Sequence, residues 1–266
     1  MSDAHTIIRP AAVAGMFYSA DPNQLQSDVL HYLQQATSSS DFTPKAIIAP
    51  HAGYIYSGPI AASAYKLLQP AKHLIKQVIL LGPSHRVSFH GIATSNADYF
   101  STPLGNIKIN QALCRQVESF DFVHTNDAAH AQEHSLEVQL PFLQNILDDF
   151  ELTPLVVGDC AAQDVAKLLD SIWGKSDTLV VISSDLSHYH SYTTAKQLDQ
   201  KTSLAIEHCQ PENITYEDAC GRQPLNGLLT LAKQKKLSID TIDLRNSGDT
   251  AGDKGRVVGY GAYVVH

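Results

Sequence analysis

Apolar residues follow two alternating patterns along this chain. Short β-branched runs read as buried strands: Ala46–Ala49, Gln77–Leu81, Leu152–Val157, Thr178–Ile182 and Ile239–Leu244. The Tyr- and Val-rich segment Arg256–Val265 predicts one more. Between these runs apolar residues return every three or four positions, the period of a helix with one buried face. Asp21-Pro22 opens the first such segment, with Asp as N-cap, Pro in the first turn and Leu25, Val29 and Leu33 at spacing four. Further helical patterns run over Pro59–Leu68, Asn110–Glu118, His134–Leu147, Ala161–Trp173, Thr193–Cys209 and Gln223–Gln234. Residues 91–109, with Thr102-Pro103-Leu104-Gly105, read as a hairpin inserted between a strand and a helix. Thr37 to Asp41 reads as a surface loop too short to divide domains, and there is no internal repeat.

Strands alternating with helices predict a layered α/β fold, its central, largely parallel sheet flanked by helices. A single domain over residues 1–266 is expected. In such sheets ligands sit beyond the carboxyl ends of the strands.

Composition narrows the function. Of the 266 residues 44% are hydrophobic and 17% charged, and the net charge is −8 with His neutral. No basic stripe forms, which argues against nucleic acid as a partner. No apolar stretch approaches a membrane span, and Met1 to His5 show no leader pattern. The four cysteines, Cys114, Cys160, Cys209 and Cys220, are scattered without a C-x-x-C pair. A reducing cytoplasm is therefore expected. The unusual feature is thirteen histidines.

Several histidines stand just past predicted strands. The tracts are Ile48-Ala49-Pro50-His51, Leu81-Gly82-Pro83-Ser84-His85 and Ile182-Ser183-Ser184-Asp185-Leu186-Ser187-His188. A fourth strand runs into Asn246-Ser247-Gly248-Asp249, with Asp253 four residues on. Each passes from apolar strand to a Gly, Pro or Ser turn and then presents His or Asp. Two imidazoles and one carboxylate on one side of a metal leave positions open for substrate and oxygen, the facial triad of non-haem iron chemistry.

Other features allow competing readings. The tract His130-Ala131-Gln132-Glu133-His134 contains H-x-x-E-H, which on a helix would place two histidines on one face as in a zinc peptidase. Alternatively, Glu133 and His134 face the pocket from the side and bind substrate. Arg222 either binds an anion or serves a helix start. Phe17 and Tyr56 either line the pocket or pack in the core. The chain has no G-x-S-x-G motif, P-loop or dinucleotide fingerprint.

At these residues the sequence resembles the Memo family, known in bacteria and archaea as protein B of the AmmeMemoRadiSam system. The resemblance runs through Arg9-Pro10-Ala11, Gly15-Met16-Phe17-Tyr18, Pro50-His51-Ala52-Gly53-Tyr54 and Tyr56-Ser57-Gly58. It continues through Gly82-Pro83-Ser84-His85, Glu133-His134-Ser135-Leu136-Glu137, Ser183-Ser184-Asp185-Leu186-Ser187-His188 and Cys220-Gly221-Arg222. It implies a fold similar to the class III, LigB-type extradiol dioxygenases, with His51 and His85 as metal ligands. The third ligand position falls at Asp249, with Asp253 as the alternative, where animal members carry a cysteine. A carboxylate there favours iron(II), with copper or zinc as other candidates. His188 matches the family's acid/base residue, accompanied by Asp185. The resemblance thus implies an oxygenase or redox enzyme acting on a small, aromatic molecule. It also leaves open a non-catalytic pocket for a phosphotyrosine-type peptide. An AMMECR-like protein and a radical SAM enzyme are the implied protein partners.

Overall fold

The computed structural model describes residues 6–38 and 42–266. Met1 to His5 and residues 39–41 of the 37–41 loop lie outside the described residues. The first half of the chain comprises β1 (Ile8–Arg9), α1 (Pro22–Gln35), β2 (Ala46–Ala49), α2 (Tyr54–Tyr65), β3 (Gln77–Pro83), β4 (Ile92–Thr94), β5 (Tyr99–Thr102), β6 (Gly105–Lys108), α3 (Gln111–Val117), β7 (Val123–Thr125) and α4 (Asp127–Ala131). The second half comprises α5 (Leu140–Ile146), β8 (Glu151–Val157), α6 (Ala162–Ile172), β9 (Thr178–Ser183), β10 (His188–His190), α7 (Tyr192–Glu207), α8 (Arg222–Lys235), β11 (Ile239–Asn246) and β12 (Val257–Val265).

Among the described residues, nine strands form the main sheet in the order β10-β12-β2-β9-β3-β8-β4-β7, with β11 also paired to β12. The strands β2, β9, β3 and β8 are parallel neighbours. β12 runs antiparallel to β2, and β11 antiparallel to β12, so β11 points the same way as β2. β4 is antiparallel to β8 and parallel to β7. The expected hairpin is β5–β6, which joins β1 in a separate three-stranded sheet, whereas β4 enters the main one.

The central strands read as unbroken apolar runs because both faces of the sheet are covered. Successive side chains point to opposite sides. Ile47, Ala49, Val78, Leu80 and Val181 pack with Leu25, Val29, Ile60, Tyr65 and Phe142 from α1, α2 and α5. Ala46, Ile48, Ile79, Leu81, Val180 and Ile182 pack with residues of α6, α7 and α8, among them Leu168, Ile206 and Leu228. Each such aliphatic side chain contributes roughly 1.5–3 kcal/mol by burial.

The observed elements depart from the periodicity at prolines. α2 starts at Tyr54 and contains Pro59 in its interior, so it begins directly behind His51 and not at Pro59. The 134–147 pattern becomes a turn followed by α5, because Pro141 fits only the first turn of a helix. Among the described residues no helix is long and apolar enough to cross a membrane.

Candidate metal centre

The carboxyl ends of β2, β9 and β3 emerge side by side, and the loops after them meet. His51 follows β2, is buried, and donates its backbone N–H to Asp185 Oδ1 at 2.7 Å. Its ring Nδ1 lies 2.8 Å from Ser183 Oγ at the end of β9. Ser183 Oγ gives its own proton to the Ser135 carbonyl at 2.6 Å and accepts from Gln139 Nε2 at 2.8 Å. The proton between Ser183 and His51 therefore sits on Nδ1, which leaves Nε2 as the acceptor facing the site.

His85 follows β3 and is held by Glu133. The carboxylate accepts the His85 backbone N–H at 2.5 Å and its Nδ1–H at 2.9 Å. It also accepts the backbone N–H groups of His134 and Ser135, each at 2.9 Å. Burial alone would raise the Glu133 pKa, but these bonds and the neighbouring His85 hold it down at about 2. A carboxylate behind an imidazole fixes the tautomer and presents Nε2 outward, the usual support of a metal-bound histidine. Gly82 lets the 135–136 turn close on β3, since a Cβ there would lie 2.8 Å from Ser135 Oγ.

His134 completes the group. The ligand atoms of His51, His85 and His134 all lie within 4.8 Å of one another. Donors about 2.0–2.1 Å from a common ion stand roughly 3–4 Å apart, so a small closure accommodates one ion. The His134 ring stacks on His85 at 4.6 Å and rests against Phe17 at 4.7 Å. Its Nδ1 is buried, 3.4 Å from Glu133 Oε1, and makes no hydrogen bond. Burial, then the neighbouring imidazoles, lowers the His51 pKa well below its usual value and brings His134 to about 4. Both rings are therefore neutral near pH 7, the form that binds metal.

A sulfur beside one of these histidines escaped the strand-end pattern. Cys220 Sγ lies 3.2 Å from His51 Nε2. It arrives on the loop before α8, which docks on the end of β9: Gly221 N–H donates to Ser184 Oγ at 3.0 Å, and a Cβ at Gly221 would lie 2.6 Å from the Ser183 carbonyl oxygen. Only glycine permits that approach. Burial pushes the Cys220 thiol pKa upward. Three imidazole nitrogens form a donor set that fits a divalent ion. The donors His51, His85 and His134 could hold such a metal.

Asp249 lies outside the group formed by His51, His85 and His134. Its Oδ1 accepts from Tyr192 Oη at 2.6 Å and its Oδ2 from the Asn246 backbone N–H at 3.0 Å, a capping box. Asp253 likewise closes its own turn, accepting the Gly255 N–H at 2.7 Å. The zinc-peptidase arrangement does not form either. α4 ends at Ala131, and buried His130 turns its Nε2 to the Ala93 carbonyl at 3.0 Å.

His188 opens β10, half-buried, and sits near enough to His51 and His85 to be coupled electrostatically to both. Burial and then His85 lower its pKa. Asp185, 5% exposed, has its pKa raised to about 7 by burial, opposed by the His51 N–H. Tyr56 lies on α2, 36% exposed, and helps raise the pKa of Tyr260 after burial and Asp185. Arg222 is the first residue of α8 and lines a cavity of about 420 Å³ together with His85, Arg86 and Cys220. A larger cavity of about 570 Å³ lies between α1, α2 and β11, lined by Tyr32, Ser63, Asp243 and Arg245 among others. Its carboxylate is satisfied by Arg245 and Ser63, and none of the clustered histidines lines it.

Fold and site together define an α/β protein with three histidines, gathered near the ends of parallel strands, that could hold a divalent metal. The family model described as Memo-like protein matches residues 9–264. A MEMO1 family protein of Aquifex aeolicus is 34% identical, covering 95% of this chain and 97% of its own length. Relatives of the same description from Sulfolobus acidocaldarius (34%) and Methanobrevibacter smithii (35%) each cover 96% of this chain and 98% of their own. The chain belongs to the Memo family.

Proposed function

We propose that the chain is a non-haem metal oxidoreductase, binding one iron(II) ion and oxygenating a small aromatic molecule. The observation that carries this reading is a donor group, His51, His85 and His134, with a further imidazole, His188, beside it on a separate turn. When bound, the ion supplies Lewis acidity and one-electron chemistry. The residues supply the rest. His188, neutral because burial and His85 lower its pKa, takes the proton of a substrate hydroxyl at a ring nitrogen and returns it later. Asp185 fixes the His51 backbone, Glu133 fixes His85, and Phe17 and Tyr56 offer faces for an aromatic ring. Ring-cleaving dioxygenation consumes one dioxygen, places both atoms in the product and needs no external reductant. The proximity of Cys220 softens the donor set, which makes copper or zinc the outcomes to exclude. The AMMECR-like protein and the radical SAM enzyme are the proposed protein partners, to be sought by co-purification.

The test is metal content after purification without air, followed by oxygen uptake over a panel of aromatic diols. Stoichiometric iron and diol-dependent uptake are expected. Zinc as the native metal, with no uptake after iron loading, would remove the oxygenase reading.

A further inference from the structure

The cavity beside the donors carries charge that a metal centre does not require. Arg86 follows His85 directly, and Arg222 stands two residues after Cys220; all four line the same cavity. Three of the other arginines have structural employment. Arg9 pairs with Glu137, Arg245 with Asp243, and Arg256 covers the ring of Tyr189. The guanidinium groups of Arg86 and Arg222 make no ion pair or hydrogen bond among the described residues. The one carboxylate on the cavity wall, Asp159, is already engaged: Gln223 Nε2 donates to it at 3.1 Å, and His90 Nδ1 lies 3.2 Å away. Phe89 adds an aromatic face to the same wall.

We propose that this cavity binds the carboxylate group of a small aromatic substrate on Arg86 and Arg222, with the ring against Phe89 and the reacting end toward His85 and Cys220. Two planar guanidinium forks match a planar, singly charged carboxylate. A dianionic phosphate fits less well, because Asp159 stands on the wall and the chain already carries a net charge of −8. The inference rests on reading the centre as a small-molecule site and adds the substrate class to it.

The test is calorimetric binding of 4-hydroxybenzoate, 4-hydroxybenzamide and phenyl phosphate to the full-length, metal-free protein, with folding checked by circular dichroism. The benzoate is expected to bind, to weaken as ionic strength rises, and to lose roughly tenfold to a hundredfold in affinity in each of Arg86→Gln and Arg222→Gln. Arg115→Gln, on α3 away from the cavity, should leave binding unchanged. Equal binding of the benzamide, unchanged affinity in both cavity variants, or tighter binding of phenyl phosphate than of the benzoate would each overturn the assignment. Binding is read without metal or oxygen, so failure here leaves the metal reading standing, and metal content tests that reading alone.

Discussion

The strands β2, β9 and β3 and the strand β11 end in the same way in sequence: an apolar run, a turn of small residues, then His or Asp. They also point in the same direction, yet only the first three feed the metal centre. β2, β9 and β3 are immediate neighbours, about 4.8 Å apart from one to the next, so side chains on their loops can share one ion. β11 is separated from β2 by β12, which alone sets its end roughly 10 Å from the β2 end. Its carboxylate, Asp249, is used locally to close a turn. Likeness of strand ends thus nominates candidates, and adjacency in the sheet selects among them.

The sharpest way to break this comparison is metal content. His51→Ala and His85→Ala should each lose nearly all bound metal, while Asp249→Ala keeps it; loss in Asp249→Ala with retention in the histidine variants would reverse the assignment. Next in size is His188→Ala. It should keep its metal and lose roughly 10²–10⁴-fold in turnover, the contribution of a positioned acid/base. Full turnover on the true substrate would make His188 a bystander.

Glu133→Gln should weaken metal affinity by roughly 10–100-fold without abolishing it, measured by competition with a chelator. An unchanged affinity would show that the carboxylate only orders the backbone.

A smaller effect is expected at Asp199, a buried residue that accepts the Ser187 N–H at 3.0 Å next to the His188 turn. Burial raises its pKa to about 6. The folded state then holds more protons than the unfolded chain between pH ~4 and ~6, so wild-type stability falls as pH rises through that window. Asp199→Asn should remove a stability change of about 3 kcal/mol across that window in denaturant titrations; parallel curves for the two proteins would contradict it. The smallest effect is the stability cost of Asp249→Ala, about 1 kcal/mol for a lost cap, visible as a shift in denaturation midpoint with the metal unchanged.

Much of the fold and half of the centre were legible without coordinates. Continuous apolar strands between amphipathic helices implied a parallel, doubly covered sheet, and the Pro-His and Pro-Ser-His turns marked His51 and His85 as strand-end residues. His134 belongs to no strand end, so the sequence pattern points it toward substrate. It reaches the donors through Glu133, whose single carboxylate gathers His85 and the 134–135 backbone. Cys220 is hidden for the same reason: it precedes a helix, and only the contact of Gly221 with the end of β9 carries it to His51. The available signal was Cys220-Gly221-Arg222, a reactive side chain beside a glycine.

What the sequence by itself determined is the local chemistry: which segments are strands, which turns follow them, and that imidazoles stand at several of their ends. Hydrophobic period and turn residues act over a few positions, so they can be read in one dimension. The order of strands in the sheet, the exclusion of Asp249 and the arrival of His134 and Cys220 were decided by tertiary structure. They depend on contacts between segments dozens to hundreds of residues apart, and nothing in local periodicity encodes which strand packs beside which.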